Sequence, residues 1–336
     1  MFSILCCSSS TISMERKPNH HTTTGFCNYP SVPAASSKGA LFYLRRIWGS
    51  AFHPEVPSNH RLSEKEAITL MNKLKGKNSL TWLGQSTFLF RINGITLLTD
   101  PFLTNRASPF SFVGGVTRYV PAGIQIKNLP PIDIVLVSHN HYDHLDRRTI
   151  DALPNKEKIH IGVPLGLKKF FLENGYKKIY ELDWGESATI GDIQIVSLPA
   201  VHDSRRGSGD KDKTLWCSWA ILSSFGKYYF AGDTGYSSVF QNICKQYKSF
   251  NLALLPIGAY EPRELMWMSH VNPEEAIQIG MDINANVLVA GHWGTIEMAD
   301  EPPWEPPKRF RKAAESVGIE KDRIWIMKIG GSRILP

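Results

Sequence analysis

The chain has 336 residues, 38 Lys+Arg against 31 Asp+Glu for a formal net charge of +7, and 42% hydrophobic residues with 26 Gly and 21 Pro. That composition excludes a wholly disordered or fibrous chain and fits one large domain or two ordinary ones. No run of 18 apolar residues occurs, so no segment reads as a membrane-spanning helix, and any membrane contact is expected to be peripheral.

The charge is concentrated at one end. Residues 1–80 carry 10 Lys/Arg and 4 Asp/Glu, whereas residues 81–336 carry 28 and 27. A cationic N-terminal quarter predicts attraction to an anionic surface. The nearly neutral body, without a basic aromatic stripe, argues against nucleic acid as a partner. Five cysteines (Cys6, Cys7, Cys27, Cys217 and Cys244) are odd in number and unpaired in spacing, which predicts reduced intracellular thiols rather than a disulfide framework or a Cys-type zinc site.

In chain order, residues 1–38 are rich in Ser, Thr, Pro and Asn and predict a disordered leader, with Cys6 and Cys7 open to S-acylation. Residues 39–79 predict a basic, aromatic helical extension. Its stretch 40–52 mixes Leu, Phe, Tyr and Trp with Arg45 and Arg46, the make-up of an interfacial helix. A second helix over 63–74 starts on a capping box, Ser63 with Glu66. Residues 80–336 then predict one α/β domain. Strands are expected at 80–83, 87–92 and 95–98, the last two joined at Asn93-Gly94, and at 132–137, a run apolar enough for burial on both faces. Further on come a helix over 165–174 closed by Gly175, strands at 193–198, 216–222 and 228–231, then helices at 238–247, 273–281 and 307–317 alternating with strands at 252–256, 287–290 and 324–328. The helix at 273 opens on Asn272 and Pro273. Strands in two groups with interspersed helices predict two sheets face to face with helices outside.

The chemistry follows the strand at 132–137. Ser138-His139-Asn140-His141-Tyr142-Asp143-His144-Leu145-Asp146 puts three imidazoles and two carboxylates directly after a buried strand, costly to hold there without a cation. His202, Asp233 in Ala-Gly-Asp-Thr-Gly, and His292 in Ala-Gly-His-Trp-Gly-Thr follow three further strands. Imidazole with carboxylate suits a borderline metal such as zinc. Two ions side by side need a bridging carboxylate, for which Asp233 is the candidate.

Asp100 in Thr-Asp-Pro, His-Asn-His-Tyr-Asp-His at 139–144, His202, Asp233 and His292 together resemble the metallo-β-lactamase superfamily. Segments 82–87, 98–101, 106–109, 129–133, 138–146, 163–167, 181–184, 230–236, 256–263, 270–276 and 292–295 resemble its N-acylphosphatidylethanolamine-hydrolysing phospholipase D family over about residues 80–336. The resemblance implies an αββα sandwich of two mixed sheets flanked by helices and two Zn2+ per chain. One zinc would be held by His139, His141 and His202, the other by Asp143, His144 and His292, with Asp233 between them. It further implies Asp100 as an orienting carboxylate, His270 and Asp143 as catalytic residues with His270 an acid or substrate-positioning group, Tyr142 on the substrate path and Arg263 as structural. The implied reaction releases N-acylethanolamine and phosphatidic acid from an N-acylated ethanolamine phospholipid, at an anionic membrane surface and inside the cell. A homodimer is implied by the family alone. Two departures stand out: Gln85 where the family commonly has His, and Asp203 where it often has an aromatic residue, with Arg205 and Arg206 following. The rival readings are a soluble hydrolase of the same fold acting on a phosphorylated sugar lactone or small phosphodiester, and a non-enzymatic lipid- or metal-binding scaffold.

Overall fold

A computed structural model describes residues 18–32, 54–110 and 114–336. In the first half β1 (Ser79–Gly84), β2 (Thr87–Ile92), β3 (Ile95–Thr99), β4 (Arg106–Ala107), β5 (Val116–Thr117), β6 (Ile134–Leu136), β7 (His160–Pro164) and β8 (Lys178–Leu182) are followed by β9 (Ser187–Ile190) and β10 (Ile193–Leu198). The second half continues with β11 (Ser218–Leu222), β12 (Lys227–Phe230), β13 (Phe250–Pro256), β14 (Ala285–Gly291), β15 (Ile324–Trp325) and β16 (Ser332–Ile334).

Two seven-stranded sheets result, ordered β16-β1-β2-β3-β6-β7-β8 and β15-β14-β13-β12-β11-β10-β9. Each is antiparallel on one side and parallel on the other. The β2–β3 hairpin turns at Asn93 and Gly94, both at positive φ (49° and 83°), as that dipeptide predicts. Strand alternation then assigns each side chain to a layer. Phe88, Phe90, Ile134 and Leu136 join the core between the sheets with Ile193, Ile195 and Trp219 from the other sheet. Leu89, Val135 and Val137 point the other way, onto Ala67, Met71, Ile150 and Phe171 of helices Glu64–Lys73, Arg147–Ala152 and Lys168–Glu173. Helices Val239–Tyr247, Pro273–Asp282 and Pro306–Ser316 contribute Phe240, Ile277 and Phe310 to the core containing the second sheet. The αββα sandwich expected from the sequence is the observed fold.

Several expectations are corrected. The leader is not disordered throughout. Residues 18–32 lie on the body, where Phe26 N–H donates to Asp212 O (2.8 Å), because His20 and His21 find Asp183 there and Asn28 finds the buried His202. The rest of the leader, and the stretch 40–52, fall outside the described residues. Nor do residues 54–79 form an appendage. Helix Glu64–Lys73, capped by Ser63 and Glu66 as expected, buries Ala67 and Met71, and His60 packs between Trp293 and Trp304. The strand expected at 324–328 stops at Trp325, since the chain then crosses to pair β16 with β1. β7, β8 and β9 were not anticipated: His160, Gly162 and Pro164 disguise β7, and the other two carry polar residues on exposed faces.

Candidate metal centre

The site lies along one end of the sandwich, where strands of both sheets finish. Asp100 follows the end of β3, Ser138 that of β6, His202 that of β10, Asp233 that of β12 and His292 that of β14. Buried strands have to end in loops, and here the loops of both halves meet. Gly232 permits the approach: at φ +62°, a Cβ on it would lie 2.5 Å from Ser138 Cβ.

Two groups of ligand atoms converge. His141 Nδ1 lies 2.9 Å from His139 Nε2 and 3.2 Å from His202 Nε2. Beside them His144 Nε2 lies 3.2 Å from Asp143 Oδ2 and 3.0 Å from Asp233 Oδ2, and His292 Nε2 lies 3.3 and 3.2 Å from the same two atoms. Ligands about 2.0–2.1 Å from one tetrahedral ion sit about 3.3 Å from each other, so both groups match the spacing a cation imposes. Asp233 Oδ2, 4.0 Å from His202 Nε2, stands between them. All seven predicted ligands are thus brought together, and six are buried while His141 is partly exposed.

Hydrogen bonds set the tautomers. The Asp100 carboxylate can only accept, so His144 donates to it through Nδ1 (2.6 Å) and turns Nε2 to the site. Ser138 Oγ donates to Asp100 Oδ2 (2.6 Å), which leaves that hydroxyl to accept from His139 Nδ1 (2.9 Å) and frees His139 Nε2. His202 Nδ1 donates to Ser269 O (2.9 Å) with the same consequence. The Asp100 carboxylate thus orients two of the clustered imidazoles, His144 directly and His139 through Ser138.

The electrostatics call for a cation. Burial pushes Asp143 and Asp233 up, but the neighbouring His144 and His292 outweigh it and hold both carboxyls well below their usual range. Conversely, burial lowers His144 and His292, yet the carboxylates, Asp233 foremost, raise His144 well above its ordinary value and His292 to about 9. Protons on these two rings stand in for metal charge. Burial and neighbouring imidazoles keep His139 neutral and push His202 down to about 4, despite the pull of Asp203. Both oxygens of Asp233 and Nε2 of His144 are buried without a hydrogen-bonding partner. Buried polar atoms rarely go without a partner, so the residues fit divalent cations.

The remaining expected residues divide. His270 is in place, Nδ1 buried, unpartnered and 3.8 Å from Asp233 Oδ2, and burial pushes it down to about 3. Arg263 donates to His270 O (2.6 Å) and pairs with Glu275, a structural role as expected. Gln85 donates to Asp143 Oδ2 (2.9 Å) while its carbonyl accepts from His292 N–H (3.1 Å), so one residue steadies two ligands. The Tyr142 hydroxyl donates to Arg206 O (2.6 Å) and its ring lies under the Arg206 guanidinium (4.1 Å), so its polar end buttresses a loop beside the site. Arg206 in turn donates to Asn140 O and Leu145 O, tying the loop after His202 to the ligand loop after β6. Three contributors escaped the sequence reading: Ser138, Ser269 and Asn28. Ser138 alone had a signal, standing beside the first ligand.

Residues 96–293 match the beta-lactamase superfamily domain. N-acyl-phosphatidylethanolamine-hydrolyzing phospholipase D 1 of Caenorhabditis elegans is 39% identical over 258 residues, 73% of this chain and 72% of that protein. An uncharacterized protein of Mycobacterium tuberculosis is 41% identical over 243 residues, 70% of this chain, and the match spans 64% of that relative's length. Among solved structures, Igni18, a metallo hydrolase from the archaeon Ignicoccus hospitalis, superposes with a TM-score of 0.56 at 23% identity, covering 76% of this chain and 97% of that one, a likeness of fold. The chain belongs to the metallo-β-lactamase superfamily of metal-dependent hydrolases and, within it, to the family that includes the N-acylphosphatidylethanolamine-hydrolysing phospholipases D.

Proposed function

We propose that the chain is a zinc-dependent phosphodiesterase of the phospholipase D type, cleaving N-acylphosphatidylethanolamine to N-acylethanolamine and phosphatidic acid. The similarity to the Caenorhabditis elegans enzyme carries the reading, and the seven converging ligands supply the means. His139, His141 and His202 would hold one ion and Asp143, His144 and His292 the other, with Asp233 shared. Bound there, two zinc ions supply hydroxide at neutral pH and polarise a phosphoryl oxygen.

The chain's own groups do the rest. Burial keeps His270 neutral at pH 7. Its contribution is therefore that of a neutral ring that orients a phosphoryl or leaving oxygen by N–H donation, and not that of an imidazolium acid. The buried carboxylates hold ligand geometry, and Asp143 is catalytic in that sense alone. Asp203, where the family often has an aromatic residue, puts a carboxylate beside this ring, within 3.4 Å of Ser269 Oγ. Exposed Tyr29 and Trp267, next in sequence to Asn28 and close to His270, give the neighbourhood of the site amphipathic side chains suited to a lipid surface. The enzyme would act as a peripheral protein on anionic membranes; among the described residues no helix is long and apolar enough to cross one.

Incubating the full chain with labelled N-acylphosphatidylethanolamine, a sugar lactone phosphate and single-stranded RNA, with and without chelator, tests the proposal. Chelator-sensitive release of phosphatidic acid is expected. Turnover of the lactone phosphate alone points to the soluble rival, and turnover of none sinks the assignment.

A further inference from the structure

The N-terminal segment 18–32 precedes the domain matched by the family and reaches the metal centre. It forms a small hairpin in which Thr22 N–H donates to Gly25 O and Cys27 N–H to His20 O, both at 2.9 Å. Gly25 lets it lie flat on the body, since a Cβ there would meet Asp212 O at 2.0 Å. At one end His20 stacks on Trp184 (4.2 Å between centroids), and His20 Nε2 and His21 Nε2 bond separate oxygens of Asp183 at 2.6 and 2.7 Å. Those are hydrogen-bond lengths, shorter than the 2.9–3.3 Å found between ligand atoms at the centre. The trio is thus an anchor and not a third cation site.

At the other end Asn28 reads the backbone of a ligand in both directions. Its Nδ2 donates to His202 O (2.8 Å) and its Oδ1 accepts from His202 N–H (3.0 Å). The same Oδ1 accepts from Trp216 Nε1 (3.1 Å), which fixes the amide's orientation. His202 has no regular strand to hold it, because β10 ends at Leu198 and β11 begins at Ser218. Asn28 supplies the pairing that a neighbouring strand would otherwise give.

We infer that Asn28 is a positioning residue for the metal ligand His202 and that segment 18–32 is a built-in arm of the metal centre, anchored by His20, His21 and Asp183. The inference rests on the ligand assignment made above, not on the identity of the substrate.

The test uses the full chain loaded with zinc and equilibrated against graded chelator, with zinc per chain measured at each step. Asn28→Ala is expected to release one ion at a chelator concentration about tenfold lower, the scale of a lost hydrogen bond to a ligand, while release of the second ion stays at the wild-type concentration. A residue that only stabilises the fold would lower the melting temperature and leave both release steps in place, and that result overturns the inference. Should Asn28→Ala not fold, His20→Ala with His21→Ala frees the anchor without touching His202. The same single step is then expected to move by a smaller factor, and no movement overturns the inference equally. A wild-type chain that takes up no zinc refutes the metal reading itself. One that holds two ions as firmly as its Asn28→Ala variant refutes the arm alone.

Discussion

Asp100 never points a free atom at the site, yet it fixes the tautomers of two ligands, His144 directly and His139 through Ser138. Gln85 does the corresponding work for the other carboxylate, and its strained backbone (φ +52°) aims the amide inward. Gln85→Leu should therefore loosen the ion held by Asp143, His144 and His292 by about 10–100-fold, the usual effect of removing such a partner, as read by chelator competition, with turnover restored by excess metal. Unchanged affinity would mean Asp143 is held well enough by its other neighbours. The ligands themselves were legible because imidazoles and carboxylates directly after apolar strands are costly without a cation. Asn28 and Ser269 were not, since the Asn28 amide bonds only the backbone of His202 and Ser269 offers only its own carbonyl, and only the folded chain shows which carbonyl or N–H stands beside a ligand.

Among the elements, the strands with apolar runs and marked turns were readable almost to the residue, β2 and β10 being the clearest. β7, with Gly162 among its buried positions, and β8, whose sequence Lys-Ile-Tyr-Glu-Leu buries only its last residue fully, lack the alternation a reader depends on. Gly162 of β7 is required by packing, as a Cβ there would come within 2.6 Å of the Leu136 side chain and 2.7 Å of Ile195. The segment 18–32 was hidden because it is polar, and its order comes from hydrogen bonds and ring stacking instead of apolar burial. The neighbouring stretch 40–52, outside the described residues, carries Arg45 and Arg46 among aromatic residues. Each cationic side chain near an anionic surface contributes about 1 kcal/mol at moderate ionic strength, so Arg45→Ala with Arg46→Ala should weaken binding to phosphatidylserine vesicles by about 30-fold in a flotation assay. Raising the salt should erase most of that difference. Deleting the whole N-terminus would be a poor substitute, because it also removes Asn28. Equal flotation of the doubly substituted and parent chains would show that this pair does not dock the protein.

At the scale of the molecule, the two sheets bring five strand ends together, and the charge assembled there makes the metal part of the fold's stability. Without metal, His292 and His144 carry protons whose folded values lie above the ordinary 6.5, at about 9 for His292. The stabilising contribution of His292 is complete below about pH 6.5 and is lost as the pH rises through 9, and that of His144 runs in the same direction. His139, His202 and His270 are shifted the other way, to about 4 for His202 and about 3 for His270. The unfolded chain therefore takes up their protons first, and stability falls as the pH drops below 6.5. Metal-free protein should thus melt highest near pH 6.5 and lower on both sides. Loaded protein holds its ligand imidazoles neutral, so its melting temperature should stay level from pH 6.5 to 9 while the metal-free form declines, widening the gap between them. Free metal at 100 times its dissociation constant adds about 2.7 kcal/mol per site, or roughly 5–11 °C for a domain of this size. Calorimetry of chelator-treated and reloaded protein at pH 5.5, 6.5 and 9 measures both forms. A metal-free melting temperature that climbs between pH 6.5 and 9 would show that His144 and His292 are not the protonated stand-ins for the cations, and the electrostatic account of the centre would fail with it.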